Sequence, residues 1–311
     1  MAMRLTLGEM LGAGTRGVGR YTGTLLAVFL VQTFITIVCM IAIWFALSRA
    51  YSHLPMWDEA VDGDLVALIF CIRYGKASLL ASAGIAFGAL LLWQVVSWFL
   101  VGGIYGVLAQ RPEGRAETAK CFGASGASTF LAYARLMLCS IPGWVLVVIA
   151  LGLGLSQFAS ESRLQHALTV PQLLGPIVLG SLPALVLLHF FWTVTDYARV
   201  ELSLRQETHE PSVVMTYART IMFVLRRPLT LAHGALGWLA FALISIGYAW
   251  LAHGHPMYGA EGAVTLFVIR QGVALARSAI RFGVLAGQLE LGKTRALPPR
   301  RVEVKTETKK S

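Results

Sequence analysis

The sequence predicts an all-α, polytopic integral membrane protein: a helical bundle of about six transmembrane helices, arranged as three helical-hairpin repeats with interfacial helices on the cytoplasmic side. Three observations predict it. Charged residues make up only 14% of the 311-residue chain and hydrophobic residues 56%, whereas a soluble domain carries roughly 25% charged residues. The apolar residues gather into runs long enough to cross ~30 Å of hydrocarbon, which takes ~20 residues. The cations fall on one side of those runs. This pattern excludes an ordinary cytosolic enzyme, a disordered chain and a secreted disulfide scaffold.

The spans follow in order: Thr24–Leu47, Ser78–Leu108, Phe130–Leu155, Leu173–Val194, Leu231–Leu251 and Ala263–Leu289. They form a single transmembrane domain over 1–292, followed by a flexible basic cytoplasmic tail over 293–311 that contains Pro298-Pro299. The first run is too long for a signal-peptide core and shows no small-residue cleavage site, so it reads as an uncleaved span. Pro142-Gly143 lies within the third span, and Pro176 and Pro183 within the fourth.

With the N-terminus inside, eighteen of the 26 Lys and Arg residues fall in inner segments. Only Arg49, Arg73, Lys76 and Arg163 fall outside, and Arg135, Arg270, Arg277 and Arg281 lie within spans. That asymmetry places both termini in the cytoplasm. It also accounts for the net charge of +10 without nucleic acid, and it makes anionic headgroups the expected partners of the flanking cations.

The longest outer loop, Ser48–Ala77, carries Asp58, Glu59, Asp62 and Asp64 and an apolar run, Leu65–Ile72, too short to span. The run reads as an interfacial or re-entrant helix. The acidic cluster lacks calcium-loop spacing and reads as a solvated loop. Cys39, Cys71, Cys121 and Cys139 form no CxxC pair and read as packing residues, so neither disulfide nor zinc is expected.

The tripeptide Tyr-Ala-Arg recurs at Tyr133–Arg135, Tyr197–Arg199 and Tyr217–Arg219. The first and third copies lead into the third and fifth spans, and LGEMLGAGTRGVGRYTG holds the same place before the first. Each odd span thus follows an amphipathic or small-residue segment. In Val213–Leu225 the residues Val214, Ala218, Ile221, Met222 and Leu225 form an apolar stripe, with Thr216, Arg219 and Thr220 off it. Such a helix lies flat at headgroup depth, with Arg226 and Arg227 reaching phosphates and Pro228 marking the bend.

The stretch Asp196–Leu231 combines an Asp-x-Ala-Arg element, a Ser-Val helix start and an Arg-Arg-Pro lead into the next span. It resembles bacterial six-span proteins similar to the membrane domain associated with glycerophosphodiester phosphodiesterases. The resemblance implies a six-span bundle in the bacterial plasma (inner) membrane, and no activity. The catalytic barrel of that family is a separate soluble domain for which this chain has no room.

Ionisable residues at membrane depth are functional candidates by default. Arg270, Arg277 and Arg281 fall within about 40° of one another on the sixth span, and Gln288 shares their face. Three readings stay open: an anion- or lipid-binding cavity, pairing with carboxylates such as Asp196, Glu201 or Glu290, and snorkelling to the interface. His189, Trp192 and Asp196 share a face of the fourth span, so His189 and Asp196 are candidates for an internal pair. No GxSxG, HExxH or phosphate-loop motif is present, so no catalytic residue, metal or cofactor is expected. No Asp or Glu sits near the middle of a span, which argues against a cation-coupled carrier.

Function is therefore expected to be that of a non-enzymatic scaffold, assembly or permease-like subunit that binds anionic lipid and a partner membrane protein or a second copy. The alternative is a transporter or lipid-handling protein that holds an anionic group at the sixth span. The surroundings of Arg277 discriminate: a water-filled cavity favours transport, and a lipid- or partner-facing surface favours the subunit.

Overall fold

The computed structural model describes residues 6–61, 64, 66–67, 70–71, 76–160, 170–204, 212–254 and 259–294. Every regular element among them is an α-helix: α1 (Leu7–Arg20), α2 (Thr22–Tyr51), α3 (Trp57–Val61), α4 (Lys76–Gln110), α5 (Arg115–Phe158), α6 (Val170–Leu204), α7 (Val213–Arg226), α8 (Pro228–Gly254) and α9 (Gly259–Lys293). Five of these, α2, α4, α5, α6 and α8, are long and apolar enough to cross a membrane. They contain the first five predicted spans. Helix α9 is 35 residues long but carries Arg270, Arg277 and Arg281, and it is not among the five. The tail beyond Thr294, most of Leu65–Ile72 and the 205–211 segment lie outside the described residues.

Two short helices have defined starts and stops. Thr6 caps α1: its Oγ1 accepts from the Glu9 amide at 3.3 Å, while the Glu9 carboxylate accepts from the Thr6 amide at 2.6 Å. The Thr6 amide and the Thr6 hydroxyl, which donates to the same carboxylate oxygen at 3.0 Å, hold the exposed Glu9 carboxyl below its ordinary range. Helix α1 ends where Tyr21 leaves helical geometry (φ −114°, ψ 36°), and α2 begins at the next residue. Ser212 caps α7 through the Met215 amide, and Arg227 (φ −130°, ψ 84°) breaks the chain before Pro228 opens α8. A proline suits that first helical position, where its missing N–H has no partner to lose.

The segment before the third span differs from the expected repeat. It is continuous with that span in one 44-residue helix, α5. At 1.5 Å per residue α5 is about 66 Å long, slightly more than twice the hydrocarbon thickness. Of the three odd-numbered spans, α2 and α8 thus follow a separate short helix and α5 does not.

The long helices bury little of themselves: 6% to 22% of their most apolar stretches is inside the fold. Leu30, Phe34, Phe87, Val148, Val186, Ile246 and Trp250 all face outward. Outward apolar belts on all sides are what a hydrocarbon solvent requires. Burial concentrates at one end of the bundle, here called the basal end, where α1, α7 and the last turns of α4, α6 and α9 meet. Small residues set this packing. A Cβ at Gly14 would stand 2.8 Å from the Gly283 carbonyl oxygen, and one at Gly287 would stand 2.8 Å from the Met10 carbonyl oxygen. The GxxxG of α9 is therefore filled by α1 of the same chain.

Helix α7 turns the side opposite to its apolar stripe toward the protein. Thr216, Tyr217, Thr220, Phe223 and Val224 are buried, while Val214, Ala218, Met222 and Leu225 are exposed. The Thr220 hydroxyl donates to the Thr216 carbonyl at 2.8 Å and so is satisfied within the helix. The stripe is left for an apolar medium.

Helices α8 and α9 run antiparallel in a register fixed at three levels. His233 lies against Gly287, Gly237 against Val284, and Phe241 under Arg277. The middle of the apolar stretch Pro228–Ala252 is Ala240, so Arg277 stands level with the centre of α8.

Candidate functional site

The polar residues of the bundle interior collect around Asp196. Helix α6 runs ten residues past its predicted span, and Thr193 to Leu202 are all buried. Asp196 is 1% exposed. Its carboxylate accepts two bonds from Arg281, Nη1 to Oδ2 at 2.6 Å and Nη2 to Oδ1 at 2.7 Å. This fork geometry matches the planar guanidinium to the planar carboxylate. Arg199 Nη1 and Gln288 Nε2 approach the same carboxylate at 3.5 Å each.

The network continues outward from Asp196. Tyr105 of α4 donates to Gln288 Oε1 at 3.3 Å. Tyr133 of α5 donates to the Arg199 carbonyl oxygen at 3.2 Å and lies 2.6 Å from the Ser203 hydroxyl. The Arg199 guanidinium also sits 5.8 Å from the centre of the Tyr133 ring. Four helices, α4, α5, α6 and α9, thus meet on one buried salt bridge. The chemistry is that of a fastener. Each charge of the Asp196–Arg281 pair is matched, and no nucleophile stands beside a base within it.

The predicted candidates separate. Arg281 takes the pair with Asp196 and lies over the Trp192 ring at 5.6 Å. Arg277 is exposed and lies 4.7 Å over Phe241 of α8. Arg270 is also exposed. Neither Arg270 nor Arg277 has an acidic partner among the described residues. Arg226 and Arg227 are exposed at the basal end, with Arg227 stacked 5.2 Å over Phe223.

His189 and Asp196 are not paired with each other. Seven residues separate them by about 10 Å along the axis. The His189 ring nitrogen Nε2 bonds instead to the Leu231 carbonyl at 3.0 Å, and Asp196 belongs to Arg281. His189 thereby ties α6 to the start of α8. His233 lies 1% exposed beneath it, packed on Gly287.

Beside these residues runs an aromatic row. Trp144 packs edge-on against Trp192 with ring centres 6.3 Å apart, and Trp192 packs edge-on against Trp238 at 6.0 Å. Trp192 and Trp238 are 36% and 45% exposed. With Phe241 and Arg277 they form a continuous outward surface across α6, α8 and α9.

Tyr105 and Ser203 did not stand out in the sequence, and Tyr133 did so only as part of a repeated tripeptide. A signal for two members existed. Tyr133 and Arg199 come from two copies of the Tyr-Ala-Arg tripeptide, and the fold brings those copies face to face. At the basal surface, Glu290 bonds Lys293 at 2.8 Å and Arg111 at 3.1 Å. Burial raises the Glu290 carboxyl, but the bonds and charges of Lys293 and Arg111 outweigh it and hold the group below its ordinary range. No group of His, Cys, Asp and Glu among the described residues is arranged to hold a metal.

Fold and surface together define a helical protein with the outward apolar faces of a multi-pass membrane protein. No protein-family model, curated protein or solved structure matches the chain.

Proposed function

We propose that this chain is a non-enzymatic subunit of the bacterial inner membrane, a scaffold, assembly or permease-like component. It crosses the membrane six times as three hairpins, α2–α4, α5–α6 and α8–α9, with both termini cytoplasmic. The register of α9 on α8 from His233 to Phe241, reaching the middle of the apolar stretch, supports the sixth crossing. The basal cations, Arg219, Arg226 and Arg227 among them, are exposed where anionic headgroups would lie.

One observation carries the subunit reading. Arg277, the residue whose surroundings discriminate between the readings, is exposed on the outside of the bundle and stacked on α8. The arginine that does point inward, Arg281, is matched by Asp196 and has no charge left for a solute. A second reading, a protein that handles an anionic lipid or solute, keeps support from Arg270 and Arg277, which lack acidic partners among the described residues.

A gentle-detergent pull-down of the tagged protein, with proteins and lipids identified by mass spectrometry, separates the two. A stoichiometric membrane partner is expected. A lone protein that retains one anionic lipid, lost in Arg277→Ala, would overturn the subunit reading and install the second.

A further inference from the structure

We infer that the α6–α8–α9 face is a docking surface for a transmembrane helix of a different protein that carries a carboxylate at mid-membrane depth. The inference rests on the subunit reading and names the chemistry of its partner.

The argument starts from depth. Arg277 stands level with the centre of α8, so its guanidinium is about 15 Å from either edge of the hydrocarbon. No headgroup phosphate reaches that level, and the side chain lies against Phe241 rather than along the helix toward an interface. Arg270 and Arg281 escape this problem differently. Arg270 lies seven residues nearer the end of α9 that meets the outer end of α8, about 10 Å away, within reach of an interface. Arg281 is paired with Asp196. Arg277 alone combines mid-depth, exposure and the absence of an acidic neighbour among the described residues. A charge facing acyl chains there is costly. A carboxylate on an adjacent helix removes the cost, because in this medium an opposite charge favours the ionised form of both groups.

Charge complementarity also selects against a second copy of this chain. Among the described residues its acidic side chains lie at helix ends or in loops, except Asp196 and Glu201, which are buried. Two copies packed on this face would bring Arg277 against another cation or against apolar side chains. The occupant is therefore a different chain. The aromatic row supplies the rest of the surface. Trp192, Trp238 and Phe241 line the approach to Arg277 with flat, rigid side chains, which bury large area at small entropic cost. The contrast with the basal end is informative: there the small-residue seam of α9 is filled by α1, whereas among the described residues Arg277 rests on Phe241 and its other side stays exposed.

The test uses the full-length protein in lipid vesicles with defined synthetic peptides. One leucine-rich transmembrane peptide of about 20 residues carries a single central Asp, a second carries Leu there and a third carries Lys. Energy transfer from a peptide fluorophore to a label at the C-terminus reads association. The Asp peptide is expected to bind wild-type protein about tenfold more tightly than the Leu peptide, the scale of one interhelical polar contact in a bilayer. Arg277→Leu is expected to abolish the difference, and Arg277→Glu to transfer the preference to the Lys peptide. Equal binding of Asp and Leu peptides to wild type would overturn the inference, as would an Asp preference that survives Arg277→Leu. Either result leaves the subunit reading standing, since that reading fails only if the native pull-down yields no partner.

Discussion

Replacing Asp196 by Asn probes the buried network. The side chain keeps its shape and one acceptor oxygen, but it presents an amide N–H₂ to one Arg281 nitrogen. One of the two short bonds, at 2.6 and 2.7 Å, is lost outright, and bonds to charged groups contribute about 1.5–3 kcal/mol each. Arg281 is also left without its counter-charge, and breaking one side of a buried pair costs about 3–5 kcal/mol. The Arg281 side chain is one-third exposed, which places the cost at the lower end, about 3 kcal/mol. Arg281→Gln strands Asp196, which is 2% exposed as a side chain, and costs at least as much. The double variant Asp196→Asn/Arg281→Gln restores a neutral amide pair, so the two losses should fall short of adding by about 2 kcal/mol. Unfolding by SDS in mixed micelles, followed through the fluorescence of Trp192 and its neighbours, measures all three variants. A single-variant cost below about 1 kcal/mol, or strictly additive losses, would refute the fastener reasoning.

Other outcomes follow from the same geometry. Gly14→Leu should lift α1 from α9, because the new side chain meets the Gly283 backbone, whereas Gly19→Ala, with nothing within 4 Å, should not; hydrogen exchange over Leu7–Arg20 distinguishes them. A reporter fused to the C-terminus should fold as cytoplasmic green fluorescent protein and be inactive as alkaline phosphatase; the opposite pattern would remove the sixth crossing. Glu290 has a carboxyl held below its ordinary range, so its contribution is present above the ordinary carboxylate range and is lost as pH falls through its lowered value. The stability gap between wild type and Glu290→Gln should therefore close as pH falls through the ordinary carboxylate range and below it, and stay constant above. Thr220→Val should be tolerated better than Thr220→Arg on the buried face of α7, and Ala218→Leu on its outward face should be neutral, as read by retention of a monodisperse peak after heating.

Much of the architecture was legible in the chain. Solvent chemistry is written into runs of apolar residues, so five of the spans and the break at Arg227–Pro228 could be read locally. The stripe on α7 was also legible, but not which side of it faces the protein. A soluble reading would bury Val214 and Met222, and a membrane reading exposes them.

Other features depended on contacts between residues far apart in the chain. Arg270, Arg277 and Arg281 look alike in sequence, separated by seven and four residues. Only the packing of α6 beside α9 gives Arg281 to Asp196, and only the register of α9 on α8 leaves Arg277 outside. The Gly283/Gly287 spacing suits any closely packed helix, and in the fold α1 is the helix that fills it. Sequence by itself determined which segments prefer hydrocarbon, because that preference belongs to each side chain. Tertiary structure decided which charges are matched and which face outward, because a buried charge takes its meaning from its neighbour.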